Sequence, residues 1–146
     1  MAESRATAVW EGDLTSGSGR VSADSGVFSD APVSWAARTE RPTATTSPEE
    51  LLAAAHAACY AMAFSGTLAS GGNAPERLEI SAVCAFTPKH GGGFEVSRID
   101  LDVHGRVPGL DQAGFEQAAR EGEQGCPISN ALRGNVDIRV TATLDS

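Results

Sequence analysis

Basic charge, paired cysteines and long apolar runs are all scarce in this sequence. Three cysteines are an odd number. They are too few to staple a secreted scaffold, so the expected compartment is the cytosol, where a thiol that matters is expected to matter chemically. Eleven Lys and Arg stand against 19 Asp and Glu, a formal net charge of −8. That balance gives no electrostatic footprint for nucleic acid or anionic lipid, and neither is expected as a partner. No stretch approaches the ~20 uninterrupted apolar residues of a spanning helix. Residues 1–7 place no apolar run behind a basic start, so no signal peptide is visible. Several motifs are missing as well: Cys-x-x-Cys, His-Glu-x-x-His, a phosphate loop, the Rossmann glycines and a Gly-x-Ser-x-Gly elbow. What is present fits one domain. Hydrophobic residues make up 41% and charged residues 21% of 146, a length that buries roughly 68% of the unfolded surface. No repeat or linker interrupts residues 1–146, and α+β is the expected class.

The first forty-odd residues read as a meander of short strands. Residues 6–10 form an apolar-rich run, and residues 11–19 are turn chemistry. Val21 and Ala23 alternate with polar neighbours, Ser25-Gly26 turns the chain into Val27 and Phe28, and residues 32–38 read as a further strand containing Trp35. Residues 40–46, with Pro42, read as a loop. Ser47-Pro48-Glu49-Glu50 is a capping box. From residue 51 to 69 no charge and no proline occurs, and seven alanines fall between Ala53 and Ala63. A helix apolar all round is a buried helix, and Gly71 reads as its left-handed cap. Alternation then predicts a hairpin, Leu78 to Phe86 and Val96 to His104, turning at Gly91-Gly92-Gly93. A polar helix follows over 111–123, with Leu110, Phe115, Ala118 and Ala119 on its buried side. Pro127 opens a short helix closed by Gly134, and a last strand alternates from Val136 to Leu144.

The residues alone leave the roles of the three thiols open. Cys59 sits mid-helix, where the dipole does not help and a small core hydrophobe is the plain alternative. Cys126 precedes Pro127 and so falls near a helix N-cap, where a thiol ionises more easily. On this argument Cys126 is the more readily ionised thiol, with simple capping as the alternative. Cys84 is on the apolar face of a strand and reads as structural. His56 lies one turn before Cys59. With Cys126 it could contribute to a zinc site, but the spacing matches no common motif. With Cys59 it could form a nucleophile–base pair, although no third orienting group is visible. His90 and His104 read as surface residues.

Three segments resemble the OsmC/Ohr family of osmotically inducible and organic hydroperoxide resistance proteins. They are Trp10-Glu11-Gly12-Asp13, the run from Thr46 to Cys59, and Gly125-Cys126-Pro127-Ile128-Ser129-Asn130-Ala131-Leu132. Trp35-Ala36-Ala37-Arg38 and the Trp-Glu-Gly-Asp start place the chain nearer the OsmC branch. The resemblance implies a thiol-dependent peroxidase without metal, haem or flavin, with Cys59 peroxidatic and Cys126 resolving. Arg38 would stabilise the Cys59 thiolate and Glu49 would hold Arg38. This reverses the ranking of the two thiols drawn from the residues. A hydroperoxide would be the substrate and a thiol or dithiol the reductant, the lipoyl group being one such dithiol. The implied fold is antiparallel sheets wrapped around a central buried helix in an intertwined homodimer. One tension remains: Glu49 and Cys59 are ten residues apart, ~15 Å along a straight helix. Either the helix bends or breaks after its first turn, or the partners converge from two subunits. A non-catalytic dimer binding apolar ligands and a Cys59/His56 hydrolase are the competing functions.

Overall fold

The computed structural model describes residues 1–40 and 43–146. They cluster into two compact units, Met1–Leu51 and Leu52–Ser146.

The first unit opens with an antiparallel sheet of β1 (Ala6–Glu11), β2 (Ser18–Ala23) and β3 (Ala31–Val33), in that order. The Trp-Glu-Gly-Asp segment builds its first turn. Asp13 Oδ1 accepts from both the backbone N–H and the hydroxyl of Ser16 at 2.7 Å. The Trp10 indole N–H reaches the carbonyls of Gly12 and Asp13 at 3.1 and 3.2 Å. Opposite Trp10 in the register is Gly19, where a Cβ would lie 2.5 Å from the indole. Two sequence expectations fail in this unit. Val27 and Phe28 form no strand; the chain bends there. The strand expected over 32–38 stops at Val33, and Trp35 and Arg38 lie on a short helix, α1 (Trp35–Thr39). Ser34 causes the switch: at φ −151° and ψ 162° its hydroxyl accepts from Ala37 N–H at 3.1 Å and caps the helix. Pro42, in the predicted loop, lies outside the described residues.

Helix α2 (Pro48–Ser70) starts where the capping signal placed it. The Ser47 hydroxyl accepts from Glu50 N–H at 3.1 Å. The Glu50 carboxylate takes the Thr46 hydroxyl at 2.6 Å instead of closing the box. The far end is a Schellman motif: Asn73 N–H donates to Leu68 C=O at 2.9 Å and Gly72 N–H to Ala69 C=O at 3.0 Å. The left-handed residue is therefore Gly72, at φ 89°, and not Gly71 as expected.

In the second unit β4 (Arg77–Pro88) and β5 (Phe94–Arg106) form the predicted hairpin. Its three turn glycines all have positive φ, which only glycine adopts without strain. Helices α3 (Gln112–Gln124) and α4 (Pro127–Leu132) then carry the chain back, so that β6 (Asp137–Leu144) joins β5 in parallel. The α+β class is as expected, but this sheet is mixed and not antiparallel throughout. Its inner face offers Ile99, Leu101 and Val103, packed with Tyr60, Phe64 and Leu68 of α2 and Phe115 and Ala119 of α3. The Phe64 ring lies 5.6 Å from Tyr60 and 5.1 Å from Phe115. The Tyr60 hydroxyl donates to the Ala119 carbonyl at 2.9 Å.

Only one stripe of α2, through His56, Tyr60, Phe64 and Leu68, is buried. Ala54, Ala55, Ala58, Met62 and Gly66 are exposed, so in the single chain the apolar helix has an open face. By length and composition α2 could cross a membrane, but its aromatic stripe is the core of the second unit.

The tightest approach in that core is at Gly105 of β5. A Cβ there would lie 2.5 and 2.7 Å from ring atoms of Phe115, which is fully buried. Gly105→Ala is expected to lower stability by about 1–3 kcal/mol through overpacking, read from urea unfolding. An unchanged midpoint would show that the ring can move aside.

Candidate functional site

Cys59 lies near the middle of α2, and Cys126 is the N-cap of α4. The fold brings their sulfurs to 3.4 Å. Both are thiols; Cys126 is fully buried and Cys59 partly so. A disulfide needs ~2.05 Å between sulfurs, so roughly 1.4 Å remains to be closed. Burial pushes the Cys59 thiol pKa up; the Ile128 backbone N–H pulls it down, and the neighbouring Cys126 pushes it up again. Ile128 is on the first turn of α4, so amide stabilisation that the sequence argument gave to Cys126 reaches Cys59. Cys126 itself makes no side-chain capping hydrogen bond. Cys84 lies on β4 opposite Ile99 and packs against the core.

His56, one turn from Cys59, does not serve as its partner. Its Nε2 is 2.7 Å from the hydroxyl of Ser129 on α4, and both residues are fully buried. Nδ1 is buried without a hydrogen bond among the described residues. The tautomer that keeps a proton off this orphaned atom has Nε2–H donating to Ser129. Burial lowers the His56 pKa from its usual 6.5, and the Glu123 carboxylate partly opposes this. Glu123 is itself nearly buried and accepts from Arg133, the C-cap of α4, at 2.9 Å. Sequence reasoning missed Ser129, Glu123 and Arg133. Ser129 stood in the quoted Cys126 motif, one helical turn after the cysteine. Glu123 and Arg133 looked like ordinary surface charges, and nothing in their spacing marked them. No group of three or more His, Cys, Asp or Glu side chains that could hold a metal occurs among the described residues.

Arg38 and Glu49 meet in the first unit. Arg38 reaches Glu49 through two nitrogens, Nη2 at 2.6 Å and Nε at 3.1 and 3.2 Å, a charge-assisted forked geometry. Ser34 positions Arg38 by starting α1, and Ser47 positions Glu49 by starting α2. The guanidinium also lies 5.7 Å from the Trp35 ring centroid. Glu49 is nearly buried, with Arg38 about a third exposed. Helix α2 runs unbroken from Pro48 to Ser70, so the chain does not break after its first turn.

Residues 41–141 match the OsmC-like protein family. The chain belongs to that family. It is 36% identical over 129 residues to peroxiredoxin OsmC of Escherichia coli strain K12, covering 88% of this chain and 89% of that protein. It is 32% identical over 123 residues to the organic hydroperoxide resistance protein OhrB of Bacillus subtilis, 84% of this chain and 87% of the relative. The crystal structure of OhrB superimposes with a TM-score of 0.74 at 26% identity, covering 95% of this chain and 98% of that one. The OsmC-like match takes in both cysteine segments and Glu49; Arg38 lies just ahead of it.

The state of His56 sets a pH dependence. The folded chain favours the neutral ring, while the unfolded chain takes up a proton near the ordinary value of ~6.5. The unfolded state then binds more protons below that pH, so the contribution is complete above it and is lost as pH falls. The urea midpoint of the wild type is expected to drop between about pH 7 and pH 5.5, and that of His56→Gln to drop less. Equal acid slopes would mean that His56 is not held neutral by the fold.

Proposed function

We propose that this OsmC-like protein is a cysteine-based peroxidase that reduces organic hydroperoxides, and hydrogen peroxide more weakly, to alcohols or water. The observation that carries this reading is the 3.4 Å approach of Cys59 and Cys126 in largely apolar surroundings. Relatives named as a peroxiredoxin and as organic hydroperoxide resistance proteins support the same class. The Cys59 thiolate attacks the distal peroxide oxygen and alcohol departs, leaving a sulfenic acid on Cys59. Cys126 condenses with it to a disulfide, releasing water. An external thiol or dithiol, such as a lipoyl group, reduces the disulfide. A dry site suits an apolar hydroperoxide but disfavours the thiolate. Arg38 offsets that, being always charged and able to donate several hydrogen bonds, and Glu49 holds Arg38 in place. His56 is engaged with Ser129, which removes the motive for a Cys59/His56 hydrolase.

In this reading residues 1–146 act as one OsmC-like domain in the cytosol, and two chains form a homodimer. The open face of α2, with Met62 exposed, is apolar surface that a second copy would cover. The ten-position separation of Glu49 and Cys59 along α2, ~15 Å of helix, favours an Arg38–Glu49 pair that serves Cys59 of the partner subunit.

One equivalent of an organic hydroperoxide is expected to remove two thiols from the wild type and none rapidly from Cys59→Ser. Cys126→Ser is expected to turn over once and leave a sulfenic acid that dimedone traps on Cys59. Retention of both thiols by the wild type would sink the peroxidase reading.

Arg38→Ala is expected to slow the peroxide reaction ~10²-fold, the scale of one lost transition-state donor, while still sedimenting as a dimer. Mixed dimers of Arg38→Ala and Cys59→Ser chains are expected to regain one working site. Mixed dimers as slow as Arg38→Ala alone would place the pair and the thiol in the same subunit, and a wild-type monomer at micromolar concentration would remove the dimer.

A further inference from the structure

Helix α4, which carries Cys126, has six residues. A helix that short does not hold together by itself in water, so the position of Cys126 depends on what fastens α4 to its neighbours. Two polar contacts fasten it. Arg133 at its end is held by Glu123 of α3 at 2.9 Å. Ser129, one turn beyond Cys126, is held by His56 of α2 at 2.7 Å, with both residues fully buried. On α2, His56 lies one turn before Cys59. The two helices therefore face each other through two successive contacts, Cys59 with Cys126 and His56 with Ser129.

We propose that His56 and Ser129 are positioning residues for the resolving step. Their hydrogen bond holds α4 against α2 while Cys59 is a thiol and while it is a sulfenic acid, so that Cys126 stays in line with the Cys59 sulfur. In that step the Cys126 sulfur attacks the Cys59 sulfur, an S–S bond forms and the S–O bond of the sulfenic acid breaks. Cys126 is oxidised and the Cys59 sulfenic sulfur is reduced to the disulfide level. The proton of the Cys126 thiol ends on the departing oxygen, which leaves as water. Neither His56 nor Ser129 takes part in bond making. A neutral ring suits the role, because protonating His56 would place a second buried N–H where Nδ1 has no acceptor among the described residues. The first step, peroxide attack by Cys59, does not need α4 to be held so closely.

The inference rests on the peroxidase reading above, and one experiment separates the two. In a Cys84→Ala background, the wild type, Ser129→Ala and His56→Gln are each mixed with one equivalent of tert-butyl hydroperoxide and quenched over time. Sulfenic acid is counted as the dimedone adduct and disulfide by mass. Ser129→Ala is expected to form sulfenic acid at the wild-type rate and disulfide ~10-fold or more slowly, the scale of one lost buried hydrogen bond. A second equivalent of peroxide is then expected to drive its Cys59 to sulfinic acid, which the wild type avoids. His56→Gln, which keeps an N–H donor, is expected to recover most of the resolving rate. If Ser129→Ala does not fold, His56→Asn, whose side chain stops short of Ser129, gives the same comparison. Disulfide formation at the wild-type rate in the folded variant overturns the proposal, as does equal slowing of both steps. A wild type that forms no Cys59–Cys126 disulfide overturns the peroxidase reading and this proposal together.

Discussion

A six-residue helix docked against the middle of a 23-residue one is the contact on which the chemistry of this protein depends. Disulfide geometry tolerates little error, and the two cysteines are 67 positions apart in the sequence. Their meeting at 3.4 Å requires everything between them to fold correctly. The hairpin β4–β5 builds the floor, α3 crosses back over it, and the Gly125-Cys126-Pro127 break turns the chain into α4. The aromatic contacts of Tyr60, Phe64 and Phe115 then fix how α2 and α3 lie on the sheet. A small loss in that core is a displacement of one sulfur relative to the other.

Burial at this site acts in two directions. It shields Cys126 fully and Cys59 in part from water, and it raises the Cys59 pKa. A reactive thiol cannot be both dry and unassisted. The Ile128 N–H is one source of help within the second unit. In the proposed mechanism the permanent charge of Arg38 supplies the rest; within the first unit Glu49 and Trp35 constrain that side chain. The same low-dielectric surroundings keep His56 neutral, so a residue that could have competed as a base is a hydrogen-bonding strut to Ser129.

Much of the fold was legible in the sequence because local signals and hydrophobic period agreed. The capping serine at Ser47, the alternation in β4, β5 and β6, the Gly91-Gly92-Gly93 turn and the Pro127 helix start each have a short-range physical cause. The misreadings occurred where two local signals competed. Residues 32–38 have a strand-like composition, but the Ser34 hydroxyl caps α1 and ends the strand at Val33. Gly71 and Gly72 are adjacent glycines, and only the path of the chain decides which takes the left-handed conformation. The parallel joining of β6 to β5 could not be read from β6 itself, since its alternation is the same in either direction.

The sequence by itself determined the residue types that the proposed chemistry uses. It supplied two cysteines in distinct helical contexts, Arg38 nine positions before the capping serine Ser47, and an apolar helix with no charge of its own between residues 51 and 69. Those features depend on neighbours a few residues apart, so they are written in the chain directly. Only the tertiary structure decided which groups touch. It paired Cys59 with Cys126, gave His56 to Ser129 instead of to Cys59, and set Glu123 and Arg133 around α4. It also left one face of α2 open in the single chain. These outcomes depend on how helices pack over a sheet, and packing is fixed by shape and by the pairing of buried polar atoms across dozens of residues.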